Sequence, residues 1–215
     1  MEIFVIGNGP SRAVVDLHKL KQYGKIYGCN ALYRDFTPDM LFCVDAGMYK
    51  EITNSKYEGN IHTQVNPMGK AGASREQRER RKSSGGLAMQ QAARDTENSQ
   101  VYMLGFDNPR NTRYMDANIY AGSKIYVRNN NWGWKAFETD YIQVLTLYKH
   151  IKFINVINPE LCNDMMDTLG VQCPNYSIME YKDFPFQDCI LPPPMDGNGT
   201  SNPVNEGSNP SGGAT

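Results

Sequence analysis

The feature that most constrains this chain is an apolar run followed at once by a glycine-rich turn. Residues 2–6 are almost entirely apolar and predict a buried β-strand, and residues 7–11 read Gly-Asn-Gly-Pro-Ser. Apolar periodicity then predicts a helix over 11–22. A strand, glycine turn and helix in this order is typical of α/β folds that bind phosphate, because the helix start offers free N–H groups. The alternative is a tight turn that binds no ligand.

The alternation of strands and helices continues along the chain. Further strands are predicted at 25–29, 40–45, 61–65, 100–105 and 151–157. Helices are predicted between them at 46–52, 87–95 and 135–149. Near-continuous apolar strands separated by helices are typical of a parallel sheet that is covered on both faces. The sequence therefore predicts an α/β fold, a Rossmann-like open parallel sheet with helices on both faces.

Length and composition predict one domain with a tail. The 215 residues suffice for one well-packed domain with little left over for a second. From residue 191 onward the sequence contains no aromatic residue, lysine or arginine and is rich in proline, glycine, asparagine and serine. Such a composition is typical of flexible segments. We predict a nucleotide-binding domain over 1–185 and a flexible tail over 186–215.

Charge and cysteine content argue against several classes of protein. The formal net charge of −1 does not indicate nucleic acid or an anionic membrane as a partner. No stretch reaches the roughly 18 apolar residues of a membrane-spanning helix. The five cysteines are an odd number and widely scattered, which indicates free thiols in the reducing cytoplasm. A cytoplasmic protein is therefore expected, and a homo-oligomer is compatible with the sequence.

Polar side chains follow several of the predicted strands. Asn30 follows the second strand, Asp45 ends the third, and Asp107 follows strand 100–105. Ligands of open α/β sheets bind at the carboxyl ends of the strands. The amide of Asn30 could bind the edge of a base or sugar, or Asn30 could simply form the turn at the end of the strand. Asp45 suits a metal ion or a ligand hydroxyl, and equally the N-cap of the following helix.

A second candidate anion site precedes the helix predicted over 87–95. Residues 83–86 read Ser-Ser-Gly-Gly, and a glycine-containing helix start binds anions for the same reason as the first turn. Ser11 suits both a helix cap and a phosphate oxygen. The dinucleotide fingerprint is not present, because Arg12 replaces its third glycine and the second strand ends in Asn30 rather than an acid.

Three segments together resemble two related groups of enzymes. They are the glycine turn, Gly-Cys-Asn-Ala-Leu-Tyr at 28–33, and Thr-Pro-Asp-Met-Leu-Phe-Cys-Val-Asp at 37–45. One group is the bacterial lipooligosaccharide sialyltransferases. The other is the family that includes motility accessory factor glycosyltransferases and archaeal 6-hydroxymethylpterin pyrophosphokinases. The resemblance continues at 83–90, 101–108 and 153–159 and covers about residues 1–160.

The resemblance implies a nucleotide-dependent transferase. The first hypothesis is a sialyltransferase-like glycosyltransferase whose donor is a CMP-activated acid sugar. One alternative is an ATP- and Mg²⁺-dependent pyrophosphoryl transferase, with Asp45 near the metal. Another is a nucleotide-binding or structural module without catalysis. The residues that the resemblance places around the cytidine nucleotide are Gly7, Asn8, Gly9, Asn30, Ser83, Ser84 and Gly85.

The resemblance also bears on the catalytic base. The sialyltransferases use a histidine, but this chain has no histidine between His62 and His150, and the best-aligned position is Lys135. A lysine with an ordinary pKa near 10.4 is a poor base at neutral pH unless burial lowers that pKa. Lys135 and Asp107 are the candidate catalytic residues.

Overall fold

The computed structural model describes residues 1–63, 82–107, 118–126, 134–158 and 164–192. Seven strands within them form one sheet in which every neighbouring pair is parallel. The strands are β1 Glu2–Ile6, β2 Gly24–Cys29, β3 Met40–Cys43, β4 Ile61–Thr63, β5 Gln100–Leu104, β6 Lys152–Val156 and β7 Tyr176–Met179. The predicted α/β class with an open parallel sheet is confirmed.

The order of the strands creates a switch point beside β1. The order across the sheet is β4-β3-β2-β1-β5-β6-β7. From β1 the chain runs outward to β4, and it then returns to the other side of β1 to form β5, β6 and β7. The connections after β1 and β5 leave in opposite directions, so that a crevice forms at the carboxyl ends of these two strands.

Five α-helices lie in the described residues, and none is long and apolar enough to cross a membrane. They are α1 Leu17–Leu20, α2 Ala46–Asn54, α3 Ser84–Asp95, α4 Trp134–Leu147 and α5 Asp164–Gln172. Helices α3, α4 and α5 pack on one face of the sheet, and α1 and α2 pack on the other. Because successive residues of a strand point to opposite faces, Ile3 and Val5 join the first core while Phe4 and Ile6 join the second.

The predicted helix over 11–22 is wrong. A 3₁₀ helix occupies Pro10–Val14, and α1 has only four residues. Between them Val15 is extended and bridges to Ile190, so a continuous helix is interrupted. Asp16 then starts α1 as its N-cap and accepts hydrogen bonds from the amides of His18 and Lys19.

The packed domain also extends beyond the predicted boundary at residue 185. The ring of Phe186 lies 5.3 Å from that of Phe4, Cys189 is fully buried, and the amide of Leu191 donates to Val14 at 2.8 Å. Aromatic and apolar contacts with β1 therefore hold residues 186–191 against the sheet. The rest of the predicted tail, 193–215, lies outside the described residues.

Candidate functional site

A cleft opens where β1 and β5 diverge at the carboxyl edge of the sheet. It encloses a cavity of about 60 Å³, whereas sites that bury a whole ligand usually hold about 300–1,000 Å³. The cavity has room for a small group, and the rest of a nucleotide would lie along the open side. Eight residues singled out from the sequence line it: Gly7, Asn8, Gly9, Asn30, Ser83, Ser84, Gly85 and Asp107.

The glycines of the first turn allow the backbone turns after β1 and β5 to contact each other. The amide of Gly9 donates to the carbonyl oxygen of Gly105 at 2.8 Å, and that of Gly7 donates to Leu104 at the same distance. A Cβ atom on either Gly7 or Gly9 would lie within 3.0 Å of the Gly105 oxygen. The turns after β1 and β5 can touch only because these positions lack a side chain.

Asp107 lies three residues after the end of β5 and binds the backbone of the segment after β1. Its Oδ2 atom accepts a hydrogen bond of 2.5 Å from the amide of Ser11, at the start of the 3₁₀ helix. Burial raises the pKa of Asp107, and hydrogen bonding to Ser11 offsets part of that rise. Its other oxygen, Oδ1, is buried and has no partner within the described part of the chain. Asp107 therefore lines the cleft with a carboxylate of which one oxygen bonds to Ser11 and the other has no partner among the described residues.

Asn8 brings a second free oxygen to the cleft. Its Nδ2 atom donates to the carbonyl of Cys29 at 3.1 Å, which ties the glycine turn to the end of β2. The Oδ1 atom is buried, and none of the described residues donates to it. Buried polar atoms of folded proteins nearly always have partners, so an unpaired one at a cleft indicates a missing water or ligand.

Asn30 and Ser84 join the end of β2 to the start of α3. The hydroxyl of Ser84 donates to Oδ1 of Asn30 at 2.8 Å and accepts from the amide of Val44 at 3.2 Å. Asn30 has a φ of 50°, in the left-handed region that asparagine tolerates best among residues with a Cβ. The Ser84 hydroxyl is thus used within the protein. Toward a ligand, α3 offers the amides of Ser84 and Gly85, which have no acceptor among the described residues.

Asp140 is the residue that sequence reasoning missed. The amide and the hydroxyl of Ser83 both donate to its Oδ2 atom, at 2.7 and 2.5 Å. Burial raises the pKa of this carboxyl, while hydrogen bonds from Ser83 and the positive charge of Lys82 lower it. The only signal in the sequence is spacing: Asp140 lies three residues after Phe137 and four before Val144, on the apolar stripe of α4.

Two predicted site residues do not line the cleft, and the side chain of a third is outside the described residues. Ser11 lies behind it, where its amide contacts Asp107. Asp45 is the N-cap of α2, with Oδ1 accepting from the amide of Met48 at 2.9 Å, which is the structural alternative that the sequence left open. No group of three or more potential metal ligands occurs in the described ranges. Lys135 lies in the first turn of α4, but its side chain is outside the described residues, so its role stays a prediction.

The segment from Asn118 to Tyr126 reaches the cleft at its first residue. Asn118 lines the cavity, and the amide of Ile119 donates to the carbonyl of Asn8 at 2.9 Å. The Tyr120 hydroxyl accepts from Arg12 at 2.8 Å and donates to Asp35 at 2.5 Å. The guanidinium group of Arg12 also lies 5.7 Å from the Tyr120 ring centre. Arg12, which replaces the third fingerprint glycine, therefore anchors this segment.

Replacing Tyr120 by phenylalanine is expected to lower the free energy of unfolding by about 1–2 kcal/mol, because two hydrogen bonds to charged partners are lost. Urea denaturation measures the change. Tyr49→Phe is the matched control, since no described residue bonds to the Tyr49 hydroxyl, and it should change stability by less than about 0.5 kcal/mol. Equal effects of the two substitutions would show that the Arg12–Tyr120–Asp35 contacts contribute nothing.

Comparison of the chain with models of known protein families, with curated proteins and with solved structures finds no match in any of the three. Evidence for function therefore comes from the cleft. The resemblance itself stays a prediction.

Proposed function

We propose that this protein is a nucleotide-dependent transferase, and specifically a glycosyltransferase that uses a CMP-activated acid sugar as its donor. One observation carries the proposal. The glycine turn, Asn30 and the start of α3, which are far apart in the sequence, line a single cleft at the switch point of the sheet. Such crevices are where open α/β sheets bind nucleotides. The resemblance of the same segments to sialyltransferases supports CMP as the nucleotide.

The start of α3 is the proposed binding site of the donor phosphate. The amides of Ser84 and Gly85 have no acceptor among the described residues, and the twelve-residue helix adds the positive end of its dipole. As the bond between the sugar and the phosphate oxygen breaks, negative charge grows on the departing phosphate. Fixed amides directed at that charge stabilise the transition state more than the bound donor, which is the condition for faster reaction.

Asp107 is the proposed general base. Asp107 lines the cleft, its Oδ1 atom has no partner among the described residues, and the bond from Ser11 to Oδ2 holds the carboxylate in place. In the reaction an acceptor hydroxyl loses its proton to Asp107, and its oxygen forms a bond to the anomeric carbon. The bond from that carbon to the phosphate oxygen breaks, and CMP leaves with the electron pair. Burial, which raises the pKa of Asp107, makes it a stronger base once ionised.

Thermal unfolding with a panel of nucleotides tests the donor assignment. CMP at about 100 times its Kd is expected to stabilise the fold by about 2.7 kcal/mol, a rise in Tm of several degrees. ATP, UDP and cytidine should give smaller shifts, and EDTA should not alter the shift with CMP. A shift that occurs only with ATP and Mg²⁺ would favour the pyrophosphoryl transferase. Unchanged Tm with every nucleotide would refute a nucleotide site.

A second candidate is a nucleotide-binding or structural module without catalysis. The observation in its favour is that many polar groups of the cleft already bond within the protein: the hydroxyls of Ser83 and Ser84 and one oxygen of Asp107. This candidate is distinguished by turnover. A protein that binds CMP but does not consume a CMP-sugar in the presence of varied sugar acceptors would be such a module.

A further inference from the structure

We propose that Asp140 is a positioning residue of the phosphate site: it holds Ser83 from outside the cleft and thereby directs the amides of Ser84 and Gly85 toward the ligand. The inference rests on the proposed function, because it concerns how that same site binds a phosphate. It adds a residue on α4 that neither the glycine turns nor the strand ends include.

The contacts of Asp140 fix the start of α3 at several points. One oxygen, Oδ2, accepts both the amide and the hydroxyl of Ser83. With its proton directed at Asp140, the Ser83 hydroxyl accepts the amide of Gly86 at 3.0 Å as the N-cap bond. A Cβ atom on Gly86 would lie within 3.0 Å of all three atoms of the Asp140 carboxyl group. The carboxylate therefore packs directly against the first turn of the helix.

Asp140 acts from the side of the helix start that faces away from the ligand. Ser83, Ser84 and Gly85 line the cleft, whereas Asp140 and Gly86 are not among its lining residues. A phosphate at the amides of Ser84 and Gly85 would therefore not touch Asp140. Asp140 acts by fixing the position of Ser83, to which it is hydrogen-bonded. Ser83 comes immediately before the amides of Ser84 and Gly85.

Two buried atoms in the same cleft support a ligand site beside this helix start. Asn8 and Asp107 are only 8% and 6% exposed, and each has a buried oxygen with no donor among the described residues. Both line the same cleft as Ser84 and Gly85. A ligand with an anionic group at α3 and a hydroxyl or amino donor at Asn8 would satisfy the amides and one of the two oxygens, which leaves Asp107 for the acceptor hydroxyl. A nucleoside monophosphate has both kinds of group.

By its charge alone, Asp140 would weaken phosphate binding rather than strengthen it. A carboxylate at the positive end of a helix partly cancels the dipole and repels a phosphate. The ammonium group of Lys82, 3.7 Å from Oδ1 of Asp140, reduces that repulsion. If positioning dominates, removal of Asp140 weakens phosphate binding, and if repulsion dominates, removal strengthens it. The sign of the effect therefore separates the two accounts.

Calorimetric titration gives the affinity for CMP and the affinity for cytidine, which lacks the phosphate. The ratio of the first to the second measures what the phosphate contributes to binding. We expect the wild-type ratio to be about tenfold or more and Asp140→Ala to bring it close to one, without changing the affinity for cytidine. Asp140→Asn keeps an acceptor oxygen for Ser83 and should restore most of the ratio. Glu138→Ala removes a carboxylate from the same helix two residues away and should leave the ratio unchanged. NMR gives a local signature: the amide signals of Ser84 and Gly85 shift with CMP in the wild type but not in Asp140→Ala.

Each result has one interpretation. A wild-type protein that binds neither compound, or both equally, would overturn the proposed phosphate site itself. A wild-type ratio that persists or grows in Asp140→Ala would overturn only the positioning role. Circular dichroism checks that the variant folds. If it does not, Ser83→Gly makes a weaker test: glycine is accepted at an N-cap, and it loses the hydroxyl bond to Asp140 but keeps the amide bond, so the ratio should fall part of the way toward one. An unchanged ratio in that variant would likewise contradict the inference.

Discussion

Replacing Asp107 by asparagine is expected to lower the rate of sugar transfer by about 10²- to 10⁴-fold, the usual contribution of a general base. The asparagine can still accept the hydrogen bond from Ser11 through its amide oxygen, so the turn after β5 should keep its place. It cannot take a proton from the acceptor. Nucleotide affinity should therefore change little, and the fall in rate should be a fall in kcat.

Steady-state kinetics with a CMP-sugar, at several pH values, measures this effect. The base works in its ionised form, and burial raises the pKa of Asp107 above the ordinary value of 3.8. The wild-type rate should thus fall as the pH drops through that raised pKa, and this acid limb should be missing in Asp107→Asn. Asp16→Asn is the matched control, because Asp16 also accepts backbone amides at a helix start and asparagine serves equally well there. Full activity of Asp107→Asn would exclude Asp107 as the base and leave Lys135 as the candidate.

Replacing Gly7 by alanine is expected to lower the free energy of unfolding by about 3 kcal/mol. The added methyl group would meet the carbonyl oxygen of Gly105, which belongs to the backbone and cannot rotate away as a side chain would. Relief requires β1 and β5 to move apart at the centre of the sheet. Because a domain of this size is stable by only about 5–15 kcal/mol, the loss should be plain in urea denaturation.

Gly170→Ala is the matched control for this substitution. Gly170 lies in α5, and a Cβ atom there would meet nothing within 4 Å. Alanine is the better helix former, so this variant should gain about 0.5–1 kcal/mol. If Gly7→Ala were as stable as the wild type, close packing of the two turns would not explain the glycine. The approach of a ligand would then be the remaining reason for it.

The strands were the part of the fold most accessible to prediction. Strands buried on both faces are continuous apolar runs, and β1, β2, β5 and β6 were placed to within a residue or two. The edge strand β7 was not predicted, because it has only four residues and only Tyr176 among them is buried. The helix predicted over 11–22 failed because Val15 pairs with Ile190, a partner 175 positions along the chain that no local pattern reveals.

The site was partly predictable for a topological reason. In a parallel sheet all carboxyl ends of strands meet at one edge, so the glycine turn, Asn30 and Asp107 could be assigned to the same side before the strand order was known. Asp45 satisfies the same rule yet caps α2 instead of lining the cleft. The rule identifies the edge of the sheet, but it does not identify which side chains at that edge remain free.

The sequence by itself determined the class of fold, because strand and helix periodicities and the glycine at the first turn depend only on local spacing. Tertiary structure decided which polar groups remain for a ligand. The hydroxyls of Ser83 and Ser84 look like phosphate ligands in the sequence, but they bond to Asp140 and Asn30, 57 and 54 residues away. Hydrogen bonds form between groups that folding brings together, whatever their separation along the chain. What α3 presents to the cleft is therefore backbone amide rather than serine hydroxyl.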